Sequence, residues 1–249
     1  MNEFELLVDL HKYNLRQGPG SPQVTKKAIE LTGLLDQKNL EIADIGCGTG
    51  GQTLDLARFL DGKITAVDLF AEFLEMLTIR ASEKGLSHRI IPQEASMDNL
   101  PFENNIFDLI WSEGAIYLMG FENGIGQWLR HLKPGGILAV SDITWITDSR
   151  PEELEQYWQR ECPEIDTVSV KLDVLKKQGY EAIGHLILPE DCWIEHYYLP
   201  LQESYKPFLE RQGHSQEAID MISSAESEFE MYLKYRQYYS YGFFIARLP

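Results

Sequence analysis

The sequence predicts an α/β fold, a mostly parallel, doubly wound sheet with helices on both faces. Short apolar runs alternate with helix-period segments between residues 41 and 143. Strands that alternate with helices are joined by crossovers, and right-handed crossovers lay the strands parallel. A glycine-rich turn at residues 46–51 follows the first apolar run and precedes a helical segment, the place where such a sheet opens toward a ligand. With 249 residues, 44% of them hydrophobic, the chain can bury one large core.

An amphipathic segment at 3–13 opens the chain, with Phe4, Leu7, Val8 and His11 on one face. Residues 16–22, R-Q-G-P-G-S-P, are a loop, and a helix over 23–35 follows. The first strand is placed at 41–45, a helix at 52–60, the second strand at 63–68 and a helix at 71–84 that stops at Gly85. Strands three and four fall near 89–93 and at 107–112. A helix over 125–132, the turn Lys133-Pro134-Gly135-Gly136 and a fifth strand at 137–143 complete the regular part. Helical stretches at 152–160 and 168–178 lead to a sixth strand at 180–188, and the last strand is expected at 241–248. Between those two strands lie helix-patterned residues rich in aromatics. With no repeat or low-complexity linker, the chain reads as one domain over 1–249 with a helical insertion at 189–238.

The formal charge of −17, with no Lys/Arg cluster, argues against nucleic acid or an anionic membrane surface as partner. No apolar run approaches the roughly 20 residues that span a bilayer. The acidic N-terminus lacks the basic start of a signal peptide, so the expected location is cytoplasmic. Cys47, Cys162 and Cys192 form no C-x-x-C pair; they are expected to be reduced thiols, and no metal site is expected.

Residues 43–51 read A-D-I-G-C-G-T-G-G. Gly46, Gly48 and Gly50 let the backbone turn sharply and let a ligand approach without a Cβ in the way. Gly46, Gly48 and Gly51 also satisfy the dinucleotide pattern G-x-G-x-x-G, and Asp68 at the end of strand two can accept from both ribose hydroxyls. NAD and S-adenosylmethionine are both allowed at this point. Asp44 just before the turn would crowd a pyrophosphate and suits a ligand that brings an ammonium group. The turn itself carries no basic residue.

D-I-G-C-G-T-G (44–50), A-V-D (66–68), N-L-P-F (99–102), F-D-L-I-W-S (107–112) and L-K-P-G-G-I-L (132–138), in this order and spacing, resemble the successive motifs of class I S-adenosylmethionine-dependent methyltransferases. The resemblance covers residues 40–145 and implies a Rossmann-like, seven-stranded sheet with an antiparallel last strand. It implies a lid at 1–36, a cofactor-binding core at 37–148 and a cap at 189–238. The turn with Asp44, Gly46, Gly48 and Gly50 would hold the methionine part of the cofactor, and Asp68 its ribose. Leu69 on one side and Ala95, Ser96 and Met97 on the other would flank the adenine. Ser96 stands where many relatives have an acid, so the adenine amino group would be read by its hydroxyl, a nearby backbone group or Asp98. Ser112, Glu113 and Gly114 would border the transferring methyl, and Arg16 would meet the methionine carboxylate.

The acceptor is expected to be a small molecule between the N-terminal segment and the cap, with Tyr13, Tyr117, Trp145, Trp193 and Tyr197 as candidate lining residues. The chemistry needs alignment of an acceptor lone pair with the methyl–sulfur bond and exclusion of water. Glu113, Asp142 and His11 are the candidate bases, with His185 and His196 behind them. A homodimer is compatible with this reading. An NAD-linked oxidoreductase and a non-catalytic cofactor-binding protein are the alternatives.

Overall fold

The computed structural model describes residues 2–249. One mixed sheet runs through it in the order β3-β2-β1-β4-β5-β8-β7. Its strands are β1 (Leu40–Ile45), β2 (Gly62–Asp68), β3 (Ile90–Glu94), β4 (Phe107–Ser112), β5 (Leu132–Trp145), β7 (Glu181–Ile187) and β8 (Tyr239–Arg247), and the short β6 (Asp166–Thr167) pairs with β5 off this path. β1, β2, β3, β4 and β5 pair in parallel, and β8 inserts antiparallel between β5 and β7. The expected mostly parallel sheet with an antiparallel last strand is therefore present, with β6 as an eighth strand.

Each central strand is apolar because both of its faces are covered. In β1, Leu40, Ile42, Ala43 and Ile45 are all buried, and in β4 so are Phe107, Leu109, Ile110 and Trp111. One face carries α2 (Pro22–Thr32), α3 (Gly51–Phe59) and α4 (Ala71–Glu83) near the first strands; α5 (Phe121–Trp128), α6 (Glu152–Glu161) and α7 (Val168–Lys177) follow β4 and β5. Ser21 caps α2 by accepting from the Val24 amide, with Pro22 in the first turn, which needs no donor there. α5 begins at Phe121, four residues before the place its apolar spacing suggested, and β5 runs on to Trp145 because β8 pairs with it from Ile137 to Trp145.

The chain opens with α1 (Glu3–His11), held by a reciprocal capping box between Asn2 and Glu5. The insertion forms α8 (Glu190–Trp193), a π-turn at Ile194–Tyr198, α9 (Leu199–Arg211) and α10 (Gln216–Tyr235). α1 and the insertion pack together: Leu6 and Leu10 share a small core with Leu201, Phe208, Ala218 and Ile222. Asp9 accepts from Arg211 Nε at 3.0 Å and Gln212 Nε2 at 2.8 Å. Among the described residues no helix is long and apolar enough to cross a membrane.

Candidate functional site

The glycine turn leaves the end of β1 and is pinned to its neighbour strand. The amides of Gly46 and Cys47 both donate to the Val67 carbonyl at 2.9 Å. Gly48 has φ of +54°, a left-handed conformation that favours glycine, and a Cβ built on it would displace the Gln17 side chain, whose Oε1 it would meet at 2.1 Å. Asp68 ends β2 beside this turn. Its Oδ2 accepts from the Gly48 amide at 2.8 Å and its Oδ1 from the Phe70 amide at 3.1 Å. Burial pushes its carboxyl up, and these backbone donors oppose that shift. Asp68 thus braces the turn and the start of α4, and each oxygen keeps acceptor capacity toward the cavity that Asp68 lines.

The N-terminal segment is latched onto the turn. Gln17 Oε1 accepts from the Thr49 amide at 2.8 Å, and Gln17 Nε2 donates to Thr49 Oγ1 at 3.0 Å and to the Asn14 carbonyl at 3.1 Å. Arg80 donates to the carbonyls of Thr49 and Tyr13, both at 3.0 Å, and to the Thr49 hydroxyl. Arg16 donates to Glu113 Oε2 at 2.6 Å, to Asp55 Oδ2 at 3.2 Å and to Thr25 Oγ1 at 3.2 Å. Thr25 Oγ1 and Trp111 Nε1 donate to the other Glu113 oxygen at 2.8 and 3.0 Å. Glu113 is therefore engaged on both oxygens, which disfavours it as a base, and the Arg16 guanidinium is committed to carboxylates of the protein.

These elements enclose a cavity of about 950 Å³. One end is bounded by Gly46, Gly48, Asp68, Leu69, Ala95, Ser96, Met97 and Asp98; the other by α1, Tyr117 and the cap residues Tyr197, Leu201, Met221 and Glu228. The 95–97 wall is fixed from behind, where Trp128 Nε1 donates to the Met97 carbonyl at 2.9 Å. His11 also lines the cavity, with its ring stacked on Tyr197 at 6.4 Å between centroids and its Nδ1 without a partner. Burial pushes its pKa down to about 4, so the imidazole is neutral at neutral pH.

Of the residues proposed from sequence, Arg16, Gly46, Gly48, Asp68, Leu69, Ala95, Ser96, Met97, Glu113, His11, Tyr117 and Tyr197 line this cavity. Others do not. Asp44 faces α3, where Thr53 Oγ1 donates to it at 2.5 Å and Gln52 Nε2 at 3.4 Å. Gly50 packs against Leu77, and Ser112 is buried inside the sheet with its Oγ unpartnered. Asp142 is sealed in an ion pair with Lys171 at 2.5 Å, both side chains at most 2% exposed. Tyr13 turns outward under the Arg211 guanidinium, 4.9 Å from its ring centroid. Trp145 is core, with the Arg150 guanidinium over its ring at 4.4 Å. Trp193 is core too: it stacks on Tyr232 at 4.5 Å and its Nε1 donates to Ser240 Oγ at 2.9 Å. Neither His185 nor His196 reaches the cavity. Tyr13, Trp145 and Trp193 are thus corrected from pocket to surface or core, and Asp142 from base to buried ion pair. Gln17 and Glu228 were missed. Each is a polar residue in a polar stretch, and nothing in its neighbours marks it as inward-facing. Among the described residues no group of three His, Cys, Asp or Glu side chains is placed to hold a metal ion.

Residues 42–136 match the family model described as a methyltransferase domain. A sterol 24-C-methyltransferase of Neurospora crassa is 26% identical over 157 residues, which cover 60% of this chain and 41% of that protein. The 27-O-demethylrifamycin SV methyltransferase of Amycolatopsis mediterranei is 26% identical over 207 residues, covering 82% of this chain and 74% of that one. The chain spans about half the length of the sterol methyltransferases it matches, 41% and 47% for two of them. Among solved structures, an S-adenosylmethionine-dependent methyltransferase from Geobacter sulfurreducens in complex with S-adenosyl-L-homocysteine superposes with a TM-score of 0.83 at 19% identity, over 98% of both chains. That likeness establishes the fold, a Rossmann-like methyltransferase fold.

Proposed function

We infer, for a chain whose residues 42–136 match the methyltransferase-domain family model, that it transfers a methyl group from S-adenosylmethionine to a small molecule. The observation that carries this reading is the single cavity that joins the glycine turn and Asp68 at one end to the lid and cap at the other. The residues present fit the cofactor. Gly46 and Gly48 line the cavity with left-handed backbone, Asp68 retains acceptor capacity for ribose hydroxyls, and Leu69 is left exposed beside the 95–97 wall. In this reading Leu69 and Ala95, Ser96 and Met97 flank the adenine, and Asp98 or Ser96 reads its amino group. When bound, the cofactor supplies an electrophilic methyl on a sulfonium. The protein's part is to orient the two reactants and exclude water. Residues 1–36 serve as lid, 37–148 as cofactor core and 189–238 as cap.

The electrostatics favour this cofactor over NAD. Asp68, Asp98 and Glu113 face the cavity near the turn, and Arg16, the one Lys or Arg among the described lining residues, is paired with Glu113 and Asp55. A pyrophosphate would meet carboxylates and no free cation, whereas a sulfonium is welcome. Calorimetry with S-adenosylmethionine, S-adenosylhomocysteine and NAD on wild type and Asp68→Ala is the test. Wild type should bind the first two and not NAD. Asp68→Ala should weaken both by about ten- to a hundredfold, the scale of losing hydrogen bonds to a charged group. Binding of NAD alone would overturn the reading.

A further inference from the structure

The acceptor end of the cavity differs in chemistry from the cofactor end. Glu3, Glu217, Asp220 and Glu228, from α1 and α10, line the cavity, the first three exposed to solvent and Glu228 half-buried, and Arg16 is the one Lys or Arg among the described lining residues. Glu228 is the innermost of these by burial. Its Oε1 accepts from the Tyr198 hydroxyl at 2.8 Å. Burial pushes its carboxyl up, the Tyr198 bond opposes this, and no cation is near enough to contribute. Its charge is felt by the hydroxyls of Tyr117 and Tyr197, both pushed up, first by burial and then by Glu228. A carboxylate left uncompensated beside aromatic rings is costly in the absence of a cation and attractive to one.

Two further observations limit the shape of a ligand. His11, 7% exposed, lines the cavity with its ring stacked on Tyr197, so that wall is flat and apolar. The mouth is rimmed by Phe4 and Leu118, each 67% exposed. Such a rim suits a molecule with an apolar body.

We propose that the acceptor is an amphiphilic amine, held as its ammonium by Glu228 between Tyr117 and Tyr197 and methylated on nitrogen. This assignment rests on the methyltransferase reading for its chemistry and on the cap for its binding. The apolar body lies along Leu10, Leu201 and Met221. The ammonium leaves one proton on the Glu228 carboxylate. Its freed lone pair forms the nitrogen–carbon bond as the methyl–sulfur bond breaks, and that bond's electron pair stays on sulfur. The products are a protonated N-methylamine and a neutral thioether, and Glu228 then returns its proton to water. Anionic acceptors are disfavoured by the Glu228 carboxylate.

Calorimetry on the full chain with octylamine, octanol and octanoate tests this, first on the protein alone and then with saturating S-adenosylhomocysteine. Octylamine should bind and octanoate should not. Glu228→Gln should weaken octylamine by about tenfold or more and leave octanol within about twofold, because only the charged partner is lost. Tyr117→Leu, at the cavity edge, should weaken octylamine by roughly threefold to tenfold through the lost ring. Unchanged thermal unfolding of both variants shows that they fold. Octanoate binding as tightly as octylamine, or Glu228→Gln binding octylamine like wild type, overturns the proposal. The binding arm without cofactor separates the two readings. If S-adenosylhomocysteine fails to bind while the amine pattern holds, the methyl-donor reading falls and the amine subsite stands.

Discussion

Asp44 is wholly buried, with hydrogen bonds from Thr53 and Gln52, and it feels the charges of Glu113 and Arg16 in opposite senses. Burial, opposed by those bonds, pushes its pKa up to about 7. An acid with a raised folded-state pKa binds more protons folded than unfolded between about pH 4 and 7, so its contribution to stability falls as pH rises through that window. Asp44→Asn cannot titrate. Urea denaturation from pH 4.5 to 7.5 should therefore show the variant gaining on wild type as pH rises, by at most about 1.4 kcal/mol per pH unit. A pH-independent difference would mean that Asp44 is ionised throughout. The same residue shows the reach of sequence at this scale. Position before the glycines was legible, but the direction of the side chain was not, because it depends on Thr53 and Gln52 one helix later. Asp68 was legible because the end of a strand beside a glycine turn leaves its carboxylate one place to go.

At the scale of elements, the N-terminal segment is joined to the sheet through the buried Arg16–Glu113 pair at 2.6 Å, with both side chains 5% exposed. Removing one partner strands the other charge in the interior, which costs about 3–5 kcal/mol. Arg16→Met should lose stability on that scale in urea denaturation, and the double variant Arg16→Met/Glu113→Gln should recover part of it. Equal losses in the single and double variants would show that Arg16 acts by packing alone. The strands of the core were legible from apolar runs bounded by turn residues, as in L-E-I-A-D-I before the glycines. The cap was legible only as helical. Its division at the π-turn Ile194–Tyr198, and the inward face of α10 that carries Glu228, follow from packing against α1 and β8, and a sequence pattern cannot state that. Trp193 and Tyr197 illustrate the limit. They are four positions apart in one aromatic stretch, yet the first is core and the second lines the cavity.

For the whole molecule, the formal charge of −17 sets a background of self-repulsion. Salt screens it, with a Debye length of about 30 Å at 0.01 M and about 10 Å at 0.1 M. Calorimetric melting at pH 7.5 should rise between 10 and 100 mM NaCl, by about 2–4 °C for each kcal/mol of repulsion relieved. A melting temperature that falls with salt would mean that attractive ion pairs dominate instead. The contact between Asp9 and Arg211, separated by 202 residues, bears on how the molecule is made. At roughly 5–20 residues per second of synthesis, Asp9 waits about 10–40 s for its partner to be added to the chain. The parallel strands near the glycine turn are complete long before that. The nascent protein thus completes the glycine-turn side of the cavity early and the side walled by α9 and α10 late, and a ribosome stalled within 189–238 would hold a chain with an open cavity.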